Sequence, residues 1–235
     1  MTLAKNNKSE NLKWFDILIL AFIFCGEGII NSTKGYIALL NGEFNIGEAT
    51  EFSASDNYSA LLSQSVFLGI ALLYLLLRNF NFKQWNVKWN IKAVLYGVLI
   101  FLGGALLMDL YMMVPNHFYD KLPFPMSISA FYDNETISTI IYSLFNGIYE
   151  ELFFLGICLS VSKRDLKWVL PFSLVVRFSF HTYQGMWSAI GIGFIFGFYM
   201  YILYSKSGSK NLLPFFIAHG IADILGLAIL WRLGI

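Results

Sequence analysis

Six ionisable residues interrupt the most apolar part of the chain: Glu150, Glu151, Arg177, His181, His219 and Asp223. A charged side chain at the centre of a membrane helix costs about 2.5–3.5 kcal/mol on insertion scales, so several of them in neighbouring apolar segments need a reason. Carboxylates and imidazoles are the groups that most often take up and deliver protons in catalysis. Their spacing supports a shared site. Residues four apart lie on one helix face, so His219 projects with Asp223, and Arg177 with His181. Glu150 and Glu151 are about 100° apart around one helix, so one can line a cavity while the other meets a neighbour. An ion network that merely ties helices together is the plainer alternative, since interhelical polar contacts do hold membrane bundles. A carboxylate pair with two histidines is more simply explained by proton chemistry.

Helices in a bilayer must position these residues. The 235 residues are 57% hydrophobic and 13% charged, far from the roughly 25% charged residues of soluble domains. The apolar residues come in blocks near the length of about 20 needed to cross a hydrocarbon core. The blocks predict an all-α, polytopic transmembrane bundle of about seven spans, at 14–31, 59–77, 93–113, 137–161, 170–183, 187–204 and 212–231. Tyr36 to Leu40 fits either an interfacial helix or a continuation of the first span. In the fifth segment Pro171 suits a first helical position, where its missing N–H is harmless. Thr182 to Gly185 then reads as a non-helical turn lining a cavity, the place where such backbone is tolerated at depth.

Orientation follows from the basic residues, which collect in cytoplasmic loops. With the N-terminus cytoplasmic, the inner loops hold Lys5, Lys8, Lys13, Arg78, Lys83, Lys88, Lys92, Lys163, Arg164, Lys167, Lys206 and Lys210. Only Lys34, Lys121, Arg177 and Arg232 fall elsewhere, while the outer loops carry Glu43, Glu48, Glu51, Asp56, Asp120, Asp133 and Glu135. The first apolar run has no small-residue cleavage site, only Cys25, Gly26, Glu27 and Gly28, and is read as an uncleaved span. No repeat, linker or low-complexity tract divides the chain, so residues 1–235 are read as a single integral membrane domain. A net charge of +1 without a basic patch gives no basis for nucleic-acid binding.

The remaining polar and small residues have bland readings. Cys25 and Cys158 lie in apolar runs without metal or redox spacing and are read as buried packing residues. Glu27 and Asp109 fall toward the outer ends of their spans, as interface or packing residues. His117 is read as a solvent-exposed loop residue. Gly191, Gly193 and Gly197, with Phe194, Phe196 and Tyr199, read as close helix packing in the sixth span.

The motif residues resemble the CAAX prenyl protease and bacteriocin-processing membrane proteins, the CPBP or Abi family of intramembrane metalloproteases. That family has a Glu-Glu pair followed by three residues and Arg; here Glu150-Glu151-Leu152-Phe153-Phe154 is followed by Leu155. Its second motif is Phe, three residues, His; His181 matches, with Arg177 at the Phe position. Its third, His, three residues, Asn or Asp, is matched by His219 and Asp223. The resemblance covers 137–235, which therefore carries the catalytic motifs. With Leu155 in place of Arg, one carboxylate lacks its intrahelical cation, and a buried charge needs another. Arg177 is expected to supply it to Glu151 across helices, as a supporting residue.

The resemblance implies an intramembrane endopeptidase with Glu150, Glu151, His181, His219 and Asp223 as the catalytic group. Glu150 would act as general base, His181 would help to hold and deprotonate the water, and His219 would stabilise the oxyanion. Asp223 would orient His219. Alternatively, Glu150, His181, His219 and Asp223 are of donor types that suit zinc, although no HExxH helix is present. The implied partners are membrane lipid and a leader, signalling or lipidated peptide. The implied place is a multi-pass position in a cell membrane, the bacterial plasma membrane being favoured. Two rival functions use the same residues: a non-catalytic immunity or scaffold protein that binds a bacteriocin or partner, and a proton-coupled transporter with a carboxylate relay.

Overall fold

The computed structural model describes residues 12–43, 52–114 and 134–232. Lys5, Lys8, Glu48, Glu51, His117, Asp120, Lys121 and Asp133, and the side chains of Glu135 and Arg232, lie outside the described residues. Among the described residues the chain is all-α, with only two isolated backbone bridges.

Several helices start where a polar side chain meets their orphan N–H groups. Helix α1 spans Trp14–Leu40, with the Asp16 carboxylate accepting from Lys13 N. It runs unbroken through Tyr36 to Leu40, so that stretch continues the first span. Ser53 and Asp56 form a capping box for α2, Ala54–Leu77. Asn90 accepts from Ala93 N to start α3, Ile91–Met112. Helix α4, Asn134–Glu151, runs on through a π-helical turn at Leu152–Ile157 and a 3-10 turn at Cys158–Ser160. Ser162 caps α5, Lys163–Ser179, and a 3-10 turn at Thr182–Gln184 follows, closed by Gly185 at φ 87°. Helix α6, Met186–Lys206, contains a second π-helical turn at Gly191–Phe196. Pro214 opens α7, Leu213–Leu225, which stops at Gly226 with φ 74°. A last turn, α8, spans Ile229–Arg232.

Among the described residues five helices, not about seven, are long and apolar enough to cross a membrane: α1, α2, α3, α4 with its continuation, and α6. The chain is thus a multi-pass membrane protein with fewer full spans than the apolar blocks imply. Helix α5 has 17 residues and carries Lys163, Arg164, Asp165, Lys167 and Arg177, and α7 has 13. At 1.5 Å per residue they reach about 26 and 20 Å, short of a 30 Å core. Pro171 sits inside α5 and not at its start. Of the two outlying acids, Glu27 is exposed, whereas Asp109 is fully buried. Asp109 Oδ2 accepts from Ile229 N and Leu230 N, both at 2.8 Å, and so fixes the start of α8.

Helix α4 is the centre of the bundle and the most deeply buried of the five, whereas α2 is the least. It packs against α2 and α7, and α7 packs in turn on α3. Two apolar cores flank it. One joins Ile17, Leu20 and Phe24 of α1 to Tyr149, Phe153 and Ile157. The other joins Ile100 and Met108 of α3 to Phe196 of α6 and Phe215 of α7. Loops carrying most of the basic residues meet at one end, where Leu12 N donates to Ser160 O and Leu212 N to Asn86 O. At that end Asp16, fully buried, accepts from Arg78 Nε at 2.7 Å and from Tyr74 at 2.6 Å, tying α1 to α2.

Candidate active site

Helices α4 and α7 approach backbone to backbone because two glycines face each other. A Cβ on Gly147 would come within 2.7 Å of Gly220 N and Phe216 O. This contact brings Glu150, one turn beyond Gly147, to His219, the neighbour of Gly220. The substitution Gly147→Ala is therefore expected to push the helices apart, costing about 1–3 kcal/mol in detergent thermal unfolding. Helix α5 is admitted by α6 in a similar way: a Cβ on Gly193 would fall 2.6 Å from Phe178 Cα, and one on Gly197 would fall 3.2 Å from Arg177 Cδ. The small residues of α6 thus make room for the Arg177 side chain.

Glu151 is fully buried at the junction of α4, α5 and α7. Its Oε1 accepts from Arg177 Nη2 at 2.6 Å and from His219 Nδ1 at 2.6 Å. Arg177 is 1% exposed, and its guanidinium lies 4.1 Å from the ring centre of Phe154. That ring is presented by the π-helical turn which begins directly after Glu151. A fixed cation between a carboxylate and an aromatic face is a common way to house arginine away from water.

Since a carboxylate accepts, the shared hydrogen of the His219–Glu151 bond sits on Nδ1. The other ring nitrogen, Nε2, faces Glu150 Oε2 at 3.6 Å and Asp223 Oδ1 at 3.5 Å. It is Glu151 that sets the plane of His219, a role expected of Asp223. Asn146, which none of the three motifs contains, donates from Nδ2 to Glu150 Oε1 at 2.9 Å and to Asp223 Oδ2 at 2.8 Å. Its own Oδ1 accepts from Gln64 Nε2 of α2 at 2.7 Å. A signal for it existed, since Asn146 lies four residues before Glu150 and so on the same face.

Glu150 Oε2 is buried and has no hydrogen-bond partner among the described residues. The Asp223 side chain, 28% exposed, opens the group outward. His181 stands at the end of α5, where its Nδ1 donates to the Arg177 carbonyl at 2.8 Å and leaves the Nε2 lone pair as the ring's accepting edge. The 3-10 turn after it is anchored to α1, with Tyr183 N donating to Ser32 Oγ at 3.0 Å.

The zinc alternative does not fit this arrangement. Among the described residues no group of three or more His, Cys, Asp or Glu side chains is placed to hold a metal ion. The donor types are present, but the bonds that hold them, to Asn146, to Glu151 and to the Arg177 carbonyl, do not bring the free edges of three of these side chains onto one point. What remains is a hydrogen-bonded network of acids and bases, with one oxygen each of Glu150 and Asp223 facing the His219 ring.

Residues 132–225 match a family model described as Rce1-like, type II CAAX prenyl endopeptidase Rce1-like. The matched stretch contains every residue of this network except Gln64. No curated protein and no solved structure matches the chain.

Proposed function

From the match of residues 132–225 to the Rce1-like family model, we propose that this chain belongs to the CAAX protease superfamily and is an intramembrane endopeptidase using a water activated by Glu150. The observation that carries the reading is Glu150 Oε2, buried, without a partner among the described residues and 3.6 Å from His219 Nε2. An unsatisfied buried carboxylate oxygen costs about 1–3 kcal/mol, and such a group in a native protein is a candidate for catalysis.

In the proposed reaction Glu150 takes a proton from water and the resulting hydroxyl oxygen bonds to the scissile carbonyl carbon. His181 Nε2 accepts a hydrogen bond from the same water and orients it. The negative charge that develops on the carbonyl oxygen is met by an N–H on His219 Nε2, whose plane Glu151 has already fixed. The C–N bond then breaks as Glu150 returns its proton to the leaving amine. Substrates would be peptides held at the membrane, such as leader, signalling or lipidated peptides. The replacement of the motif Arg by Leu155 weighs toward a binding-only immunity or scaffold role, but Arg177 already supplies Glu151 with a cation, which removes the main support for that rival.

The test compares cells expressing wild type, Glu150→Ala and His181→Ala at equal levels, by mass spectrometry of membrane and secreted peptides. Peptides present only with the wild type are expected. An identical peptide set in all three would overturn the reading and leave the binding role.

A further inference from the structure

The groups around His219 Nε2 close into a ring. Asn146 Nδ2 holds Glu150 Oε1 and Asp223 Oδ2 on one side, while Glu150 Oε2 and Asp223 Oδ1 face His219 Nε2 on the other. Two carboxylates can only accept from the amide when ionised, so the amide nitrogen must point at them, and Oδ1 is left for Gln64 Nε2. Gln64 belongs to α2, which contributes no other residue to the group and lies outside the matched stretch.

We propose that Asn146, held in its orientation by Gln64, is a positioning residue that tethers Glu150 and Asp223 by one oxygen each and so aims their second oxygens at His219. The inference rests on the peptidase reading for its catalytic consequence, but its geometry can be tested without catalysis. A single neutral side chain with two N–H groups suits this role, because it restrains two like-charged groups at once and adds no charge of its own. Replacing it with alanine frees both carboxylates to turn away, while leaving the Glu151–Arg177–His219 bonds untouched. Removing Gln64 frees only the amide, so its effect is smaller and in the same direction.

The experiment uses the full chain in detergent, as wild type, Asn146→Ala and Gln64→Leu. Each is treated with a membrane-permeant carbodiimide, and the label on Glu150 and Asp223 relative to Glu151 is read by peptide mass spectrometry. The ratio is expected to rise about threefold or more in Asn146→Ala and less in Gln64→Leu, in keeping with one or two lost hydrogen bonds. Equal ratios in all three chains would overturn the tether, and Gln64→Leu alone decides it if Asn146→Ala does not fold. In parallel, cleavage of a quenched fluorescent peptide ending in farnesyl-cysteine and three residues is followed. Here kcat is expected to fall about 100-fold in Asn146→Ala with KM unchanged, as misplacement of a reacting group implies. A KM change at constant kcat would count against positioning. If the wild type leaves this probe uncut, prenyl-peptide cleavage fails while the labelling ratio still decides the role of Asn146.

Discussion

Glu150→Gln is expected to lower peptide cleavage about 1000-fold, the scale of a lost general base, while leaving the protein as stable as wild type or slightly more so. Both halves follow from the same atom. The side chain keeps its size, and an amide oxygen still accepts from Asn146 Nδ2, as Glu150 Oε1 does at 2.9 Å. The other position changes from a buried carboxylate oxygen without a partner to an amide N–H₂, which has no lone pair with which to take a proton from water. Removing a buried charge that is only partly satisfied relieves a desolvation cost. Function and stability should therefore move apart, as they do where a site carries an arrangement that folding alone would not choose. Cleavage of the farnesylated probe and thermal unfolding in detergent check the two halves separately. An inactive Glu150→Gln chain that also unfolds at much lower temperature would make Glu150 a structural residue. Activity near the wild-type level would remove it from the mechanism.

Much of this group was legible because helical spacing is a strict constraint. His219 and Asp223 share a face at four residues' separation, and the structure keeps Asp223 near one imidazole nitrogen of His219. The cross-helix bond between Arg177 and Glu151 could be anticipated from a missing charge at Leu155, since a buried carboxylate without a local cation must find a distant one. Other features leave weaker traces. The π-helical turns at Leu152–Ile157 and Gly191–Phe196 each insert a residue into an apolar run that still reads as ordinary helix. They turn Phe154 onto Arg177 and lay Gly193 against Phe178, and neither contact has a sequence period to announce it. Span counting failed at α5 and α7 because hydropathy measures how apolar a block is and not how long its helix runs. Capping by Ser162 lengthens α5 into a charged stretch, and Gly226 cuts α7 short. The zinc alternative was reasonable on donor types alone. It depends on whether the free edges of three such side chains converge on one point, and that convergence is invisible in a string of residue types.

The Glu151–Arg177 bond supports the second large effect. Arg177→Met or Glu151→Leu removes one partner of a pair that is 1% and 0% exposed, leaving the other charge buried at a cost of about 3–5 kcal/mol. Either single variant should unfold early in detergent and show no cleavage. Exchanging the two residues, as Glu151→Arg with Arg177→Glu, separates the two duties of this contact. An ion pair can form again between α4 and α5, so most of the lost stability is expected to return. Activity is not, because Glu151 Oε1 also accepts from His219 Nδ1 at 2.6 Å. After the exchange a guanidinium, which only donates, would stand where that acceptor was. His219 would lose the bond that fixes its plane, and its Nε2 would no longer be held toward Glu150 and Asp223. Recovery of unfolding temperature without recovery of cleavage is thus the expected result. If cleavage returned together with stability, the orientation of His219 would not depend on Glu151. If neither returned, the ion pair would not be what joins α5 to the site.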